Sequence, residues 1–264
     1  MTGTYTPEEI AILTKDHRLA LEPSDNRSLS IPALDLLNRE KCAPYLERVR
    51  EVFEASTQTA TASLFAKRYS FLIMASSLYA MSVFNKGLDY SIDNCHVESY
   101  YQGQAWLPRV RLAEWQVSQP VAGEREAWRE RIVRSIFAGN LAPTWQFLAK
   151  SVPISKAVLW ENTAIYVFWL YENKFIEGIG KADKERVRED YDYLVRVAPG
   201  ELFGETKNPL ARFDSPKQAT RASEQPIRIR KTCCYYYQAS DEPEDYCVTC
   251  PKIKHEAIAA GQPG

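Results

Sequence analysis

The 264-residue sequence predicts a mainly α protein, α+β only through a minor β-hairpin element. Three observations carry that expectation. Apolar residues recur at helical spacing over long stretches free of Gly and Pro. Short β-rich runs occur together in one place, around Gln102-Gly103. The composition, 45% apolar and 25% charged, is that of an ordinary globular protein, which excludes a disordered, collagen-like or long coiled-coil chain.

Leu34 to Ser56 reads as a first helix, with Leu36, Leu37, Tyr45, Leu46, Val49 and Phe53 as its apolar face and Pro44 as an interruption or restart. Ala62 to Asn85 is apolar nearly all round, as a central buried helix should be, and Lys86-Gly87 offers it a cap. From Cys95 to Leu112, VESYY and WLPRVRL flank Gln102-Gly103 as the arms of a β-hairpin, with Pro108 favouring an edge strand. Glu124 to Ala138 returns to helical spacing through Trp128, Ile132, Val133, Ile136 and Phe137. Gly139-Asn140 should stop it, and Pro143 suits the first turn of a following helix. Its arginines read as an exposed face with i,i+4 pairs. Lys156 to Ile176 is aromatic and too long for a strand, and Lys184 to Val197 is amphipathic. Gly204 to Pro226 reads as a polar connector. Ile227-Arg228-Ile229-Arg230 alternates as a short strand would.

The formal charge is −1, from 33 basic against 34 acidic residues, so no excess marks a nucleic-acid binder. The N-terminus lacks a basic region followed by an apolar one, so no secretory signal is expected. The uncharged stretch Tyr69 to Asn85 contains four serines and is short for a membrane span. A cytoplasmic protein without an integral membrane segment is expected, which leaves room for peripheral attachment to a membrane. No P-loop, G-x-G-x-x-G or G-x-S-x-G motif is present.

The cysteines are the informative feature. Cys42 and Cys95 stand alone and read as small buried apolar residues. Cys233, Cys234, Cys247 and Cys250 lie within eighteen residues. In a reducing compartment a soft metal centre is a better reading than disulfides. Cys247-Val-Thr-Cys250 has ordinary chelate spacing. The adjacent pair suits a multi-atom cluster better than one tetrahedral ion, yet spacing alone leaves iron–sulfur and zinc both open. His17, His96 and His255 are scattered and form no ligand pair, although His255 could complete a zinc site.

The tail QPIRIRKTCCYYYQ…DYCVTCP resembles the C-terminal motif of the siderophore-iron reductase family, the FhuF-like ferric iron reductases: two adjacent cysteines, a spacer, then C-x-x-C. The spacer here, twelve residues, is slightly longer. VLWENTAIYVFWLYE (Val158 to Glu172), Asn208-Pro209-Leu210 and the apolar helix near Phe65–Phe84 are similar too. The resemblance implies a helical siderophore-reductase-like domain over 1–224 and a small cluster-binding segment over 225–264. It implies a [2Fe–2S] cluster on Cys233, Cys234, Cys247 and Cys250, which gives one electron to siderophore-bound Fe(III), with hydroxamates as the substrate class. Reduction matters because hard oxygen donors hold ferrous iron poorly. The electron donor is unidentified. Arg228, Arg230, Lys231, Trp160 and Asn162 are the candidate substrate-binding residues. Two other readings stand beside this one: a zinc-stabilised binding module without redox activity, and an electron carrier for another acceptor. The Tyr235–Tyr237 run could shield a cluster or pack the tail. Asp241, Glu242, Glu244 and Asp245 could tune a cluster or solubilise a loop.

Overall fold

The computed structural model describes residues 3–221, 223–240, 242 and 245–255. Asp241 and Glu244 therefore lie outside the described residues. The chain is mainly helical with small sheets, as the sequence predicts.

Helix α1 (Pro7–Asp16) opens with a capping box: Thr6 accepts from the Glu9 amide and Glu9 reaches back to the Thr6 amide. The sequence reading missed this short helix. Strand β1 (Leu19–Ala20) follows through Arg18, whose φ of 56° is left-handed. Strand β2 (Ile31–Pro32) leads into a 3₁₀ turn, Ala33–Leu37, and then α2 (Arg39–Phe53). The expected first helix is thus split, at Asn38 rather than at Pro44. Asn38 caps α2 by accepting from the Glu40 and Lys41 amides. Pro44 lies inside α2, on an exposed face where the missing bond to Glu40 is open to water.

Helix α3 (Gln58–Ser82) is the central element and is buried on almost every side. Its serines make that burial tolerable. Ser70 bonds Thr163 at 2.9 Å, Ser76 accepts from Tyr90 at 2.8 Å, and Ser82 bonds Tyr171 at 2.8 Å. Among the described residues no helix is long and apolar enough to cross a membrane. The helix ends at Ser82, before the expected Lys86-Gly87 cap. Gly87 instead exchanges backbone bonds with Ser118.

The hairpin is present as β3 (Cys95–Glu98), β4 (Tyr101–Gln102), β5 (Ala105–Trp106) and β6 (Arg109–Leu112). Gly103 turns it with a φ of +59°. The main sheet has the order β1-β6-β3-β2, with β1 parallel to β6. Strand β6 is therefore interior, which corrects the edge assignment. Pro108 is tolerated because it precedes the first laddered residue.

Helix α4 (Arg125–Ile136) does not stop at Gly139-Asn140. It continues through a π turn, Phe137–Leu141, directly into α5 (Ala142–Ser151), where Pro143 occupies the first turn as expected. Asn140 can be fully buried because both ends of its side-chain amide are bonded. It accepts from Tyr69 at 2.6 Å and donates to the Tyr90 carbonyl at 2.7 Å. The arginines of α4 also depart from expectation. Arg125 and Arg129 reach across to buried Asp190 on α7 (Lys181–Asp192) rather than pairing along their own helix. Helix α6 (Lys156–Trp169) ends in a second π turn, Leu170–Lys174, and α7 in a third, Tyr193–Val197.

The connector after Gly204 contains more structure than expected. Asn208 donates to the Leu194 and Ala198 carbonyls and so pins it to the end of the α7 segment. A small hairpin follows, β7 (Gln218–Thr220) and β8 (Ser223–Ile227). Strand β8 ends at Ile227, so the Ile227–Arg230 alternation marks a strand end, not a strand. Cys42 and Cys95 are buried at 2% and 1% exposure, as expected of apolar cysteines. Burial pushes the Cys42 thiol up to about 11 and the Cys95 thiol higher still.

Candidate metal centre

After β8 the chain turns inward against α3 and α6, and side chains of those helices grip it. Glu161, on α6, is 2% exposed. Its carboxylate accepts from the Lys231 amide at 2.6 Å, the Thr232 amide at 2.7 Å and the Thr232 hydroxyl. These are the two residues immediately before Cys233. Arg230, 4% exposed, donates to Asn162 at 2.7 Å and lies 3.7 Å from Glu161. Asn162 donates in turn to the Ser63 carbonyl and hydroxyl on α3. Ser63 donates to the Cys234 carbonyl at 2.7 Å. A buried polar network of this kind is stable only when every member is satisfied, and these members are.

The two halves of the tail are tied together as well. The Arg230 amide donates to the Thr249 carbonyl at 3.0 Å, which places the vicinal pair beside the C-x-x-C turn. The Cys250 amide closes that turn on the Cys247 carbonyl at 2.8 Å. Tyr235 takes a left-handed φ of 60°, rare for a residue with a Cβ, and its amide donates to Cys233 Sγ at 3.4 Å. Further on, Gln238 accepts from Ser56 and Thr57 at the start of α3.

The result is a thiol cluster at the protein surface. Cys234 and Cys250 are buried, Cys233 and Cys247 half-buried. The sulfurs of Cys234 and Cys247 stand 3.7 Å apart. The bond from Cys247 holds the Cys234 thiol well below its ordinary range against the cost of burial, helped by Lys67 and Arg230. Cys247 is raised in return by that same bond, by burial and by the neighbouring sulfurs of Cys234 and Cys250. Cys233 is raised by burial, eased by the Tyr235 amide, and feels Cys250 and Cys234. Of the bonded pair, Cys234 thus gives up its proton first while Cys247 keeps its own. Among the described residues no three His, Cys, Asp or Glu side chains gather tightly enough to cage a single ion. The donor set itself is four soft thiols with no oxygen or imidazole among them, which fits an iron–sulfur cluster. His255 uses Nε2 on the Cys250 carbonyl, at 2.7 Å.

The structure places the other candidates variously. Arg230 and Asn162 bond each other inside the clamp. Arg228 packs over Phe168 and pairs with Glu172 at 2.9 Å. Lys231 Nζ donates to the Arg212 carbonyl, and Trp160 donates to Glu205 at 3.0 Å. Tyr237 packs on Tyr246, whereas Tyr236 is exposed beneath Lys67. Glu161 stands within VLWENTAIYVFWLYE, between Trp160 and Asn162, but nothing local marks a helical Glu as a buried acceptor for a segment seventy residues later.

A helical body holding a four-thiol tail defines a redox-metal class of protein, and the comparisons agree. The chain belongs to the family described as ferric iron reductase FhuF-like transporter, whose model matches residues 63–220. Residues 230–252, which contain the four cysteines, match the FhuF 2Fe-2S C-terminal domain. Among curated proteins, the ferric siderophore reductase of Escherichia coli (strain K12) is 23% identical over 179 residues, which cover 68% of this chain and 61% of that relative.

Proposed function

We propose that this chain is a cytoplasmic ferric-siderophore reductase whose Cys233, Cys234, Cys247 and Cys250 hold the [2Fe–2S] cluster. One observation carries the reading: four thiols are fixed on a tail that buried side chains of α3 and α6 clamp in place. A cluster bound there supplies one electron at a time, enough to turn chelated Fe(III) into the weakly held Fe(II). The protein's own residues do the rest. Glu161, Arg230 and Asn162 fix the path of the backbone into Cys233. Ser63 fixes Cys234 through its carbonyl. Cys234 and Cys250 lie out of reach of bulk water, which protects the site. The substrate is a ferric siderophore, hydroxamates being the class that the family resemblance suggests, and the electron comes from a donor outside this chain.

The test is spectroscopic. Protein purified without oxygen should show visible charge-transfer bands that bleach with dithionite, a new EPR signal, and about two irons per chain. Adding a ferric trihydroxamate to the reduced protein should restore the bands in proportion to the Fe(II) trapped by a ferrous indicator. A colourless protein carrying one zinc per chain would sink this reading and leave a zinc-stabilised binding module. Bands that return with other oxidants but with no ferric chelate would point to an electron carrier.

A further inference from the structure

A cleft of about 990 Å³ opens directly beside the cysteine tail, within the size range of about 300–1,000 Å³ typical of small-molecule sites. Thr249, between Cys247 and Cys250, lines it. So does Lys67, whose ammonium lies 5.8 Å from the ring of Tyr236, two residues past Cys234. A ligand in this cleft would touch the cysteine loop itself.

The cleft has an aromatic floor and a basic rim. Phe71 meets Tyr166 and Trp169 edge-on or tilted, with ring centroids 5.4 and 6.2 Å apart. Trp169 is 40% exposed, so part of its ring is open to a ligand. Arg18, Lys67 and Arg68 stand around these rings. Among the described residues no carboxylate pairs with any of the three. Lys217 and Arg228 on the far side are pinned by Glu172, at 2.6 and 2.9 Å, and Arg228 also by Asp214 at 3.4 Å. The cleft therefore keeps a positive surplus in a chain whose formal net charge is −1. The surplus is built rather than incidental. Arg18 is held in a left-handed backbone conformation, φ 56°, with its guanidinium 4.7 Å over Phe71. Burial and the nearby charges of Arg68 and Arg109 make that position costly for a cation. Three cations without a carboxylate partner, one of them at a strained backbone position, make a surface suited to an anion.

We propose that this cleft is the siderophore site and that it selects ferric chelates of net negative charge, resting on the reductase reading above. Two chelate types share that chemistry: a tris-catecholate complex, and a hydroxamate complex carrying free carboxylates. In either, the apolar rim of the ligand covers Phe71 and Trp169 while its anionic groups meet Arg18, Lys67 and Arg68. A neutral trihydroxamate complex gains only the aromatic contact.

Gallium(III) complexes test this, because gallium keeps the charge and shape of the ferric complex but accepts no electron. Calorimetric titration of the cluster-loaded protein would use three of them: a tris-catecholate, a carboxylate-bearing hydroxamate and a neutral trihydroxamate. The expected result is that at least one anionic complex binds about tenfold or more tighter than the neutral one, and the better of the two identifies the source. Arg68→Glu should weaken the anionic complex by about tenfold and leave the neutral one within about twofold. Arg68→Gln should fall between, and Arg131→Glu on α4, outside the cleft, should change nothing. An unaltered visible spectrum shows each variant to be folded and loaded. Equal affinity for all three complexes, or an Arg68→Glu variant that binds like the parent, would overturn the proposal, whichever ferric chelates the protein reduces. Charge-selective binding with no reoxidation of the reduced protein by the matching ferric chelate would instead overturn the reductase reading and leave the anion-selective cleft standing.

Discussion

Glu161 illustrates how one buried side chain can set the geometry of a distant site. Its carboxylate takes three donors from residues 231 and 232, two of them adjacent backbone amides. In Glu161→Gln the new NH₂ competes for the same space, so one of those amides loses its acceptor, at a cost of about 1–3 kcal/mol. The expected outcome is a variant that still takes up iron but surrenders it to a chelator roughly tenfold faster, followed by the decay of the visible bands. A rate equal to that of the parent would show that the clamp does not govern retention. His17 gives a second residue-scale prediction. Buried against Tyr79 at 4.0 Å, its ring is held down to about 4 from 6.5, chiefly by burial and with help from Lys174 against Asp16. The unfolded chain therefore takes up this proton first as the pH drops. The stabilising contribution is whole above about pH 6.5 and is lost as the pH falls through about 4. The unfolding free energy from urea titrations should fall by up to about 1.4 kcal/mol for each pH unit lowered between these limits from this group, and His17→Gln should flatten the slope.

At the scale of elements, the helices were legible wherever their apolar spacing was strong. Ala62–Asn85 and Lys156–Ile176 have almost no polar face, and both became the buried pair that carries the clamp. The misreadings came from treating Gly and Pro as stops. Gly139-Asn140 did not break α4 because Asn140 finds two buried partners, Tyr69 and Tyr90, from other segments. Those partners are invisible in a local window. Pro44 did not break α2 because the helix buries Cys42, Tyr45 and Val49 on its other side. Tertiary packing outweighed a local cost of about 3 kcal/mol. Pro44→Ala should therefore raise the urea midpoint by an amount equivalent to about 1 kcal/mol or more, reduced from the full cost by the freedom that the unfolded chain regains. A lower midpoint would mean that the proline ring packs against something the exposed face does not show.

For the whole molecule, the sequence announced the thiol tail through spacing but not how it is held. The four cysteines sit within one short segment, whereas the residues that anchor them come from Ser56 and Thr57, from Ser63 and from Glu161 and Asn162. No motif search joins positions so far apart. The basic cleft was equally hidden, because Arg18, Lys67, Arg68 and Arg228 are scattered through the chain and meet only in the fold. This architecture predicts a hierarchy of stability. Stripping the iron with a chelator under reducing conditions should leave the helical content nearly unchanged and open the segment after Ile229 to protease. Fragments ending near Lys231 and Lys252 would be identified by mass spectrometry. Simultaneous loss of the helical signal would mean that the metal holds the entire core together.

The turn Leu170–Lys174 has a consequence of a different kind. A π turn is an α-helix carrying one surplus residue. It acts as a phase shifter, setting the angle at which everything downstream emerges. Remove one residue there and α6 would run on in ordinary register, with the following side chains rotated by about 100°. Glu172, which now faces Arg228, Lys217 and Tyr191 together, would face none of them in that frame. A chain one residue shorter could keep its apolar stripe and its cysteines and still lose the corner where α6, α7 and the β7–β8 hairpin meet. Length alone, counted between Trp169 and Phe175, is thus a sharper diagnostic of this arrangement in a related sequence than the identity of any one residue between them.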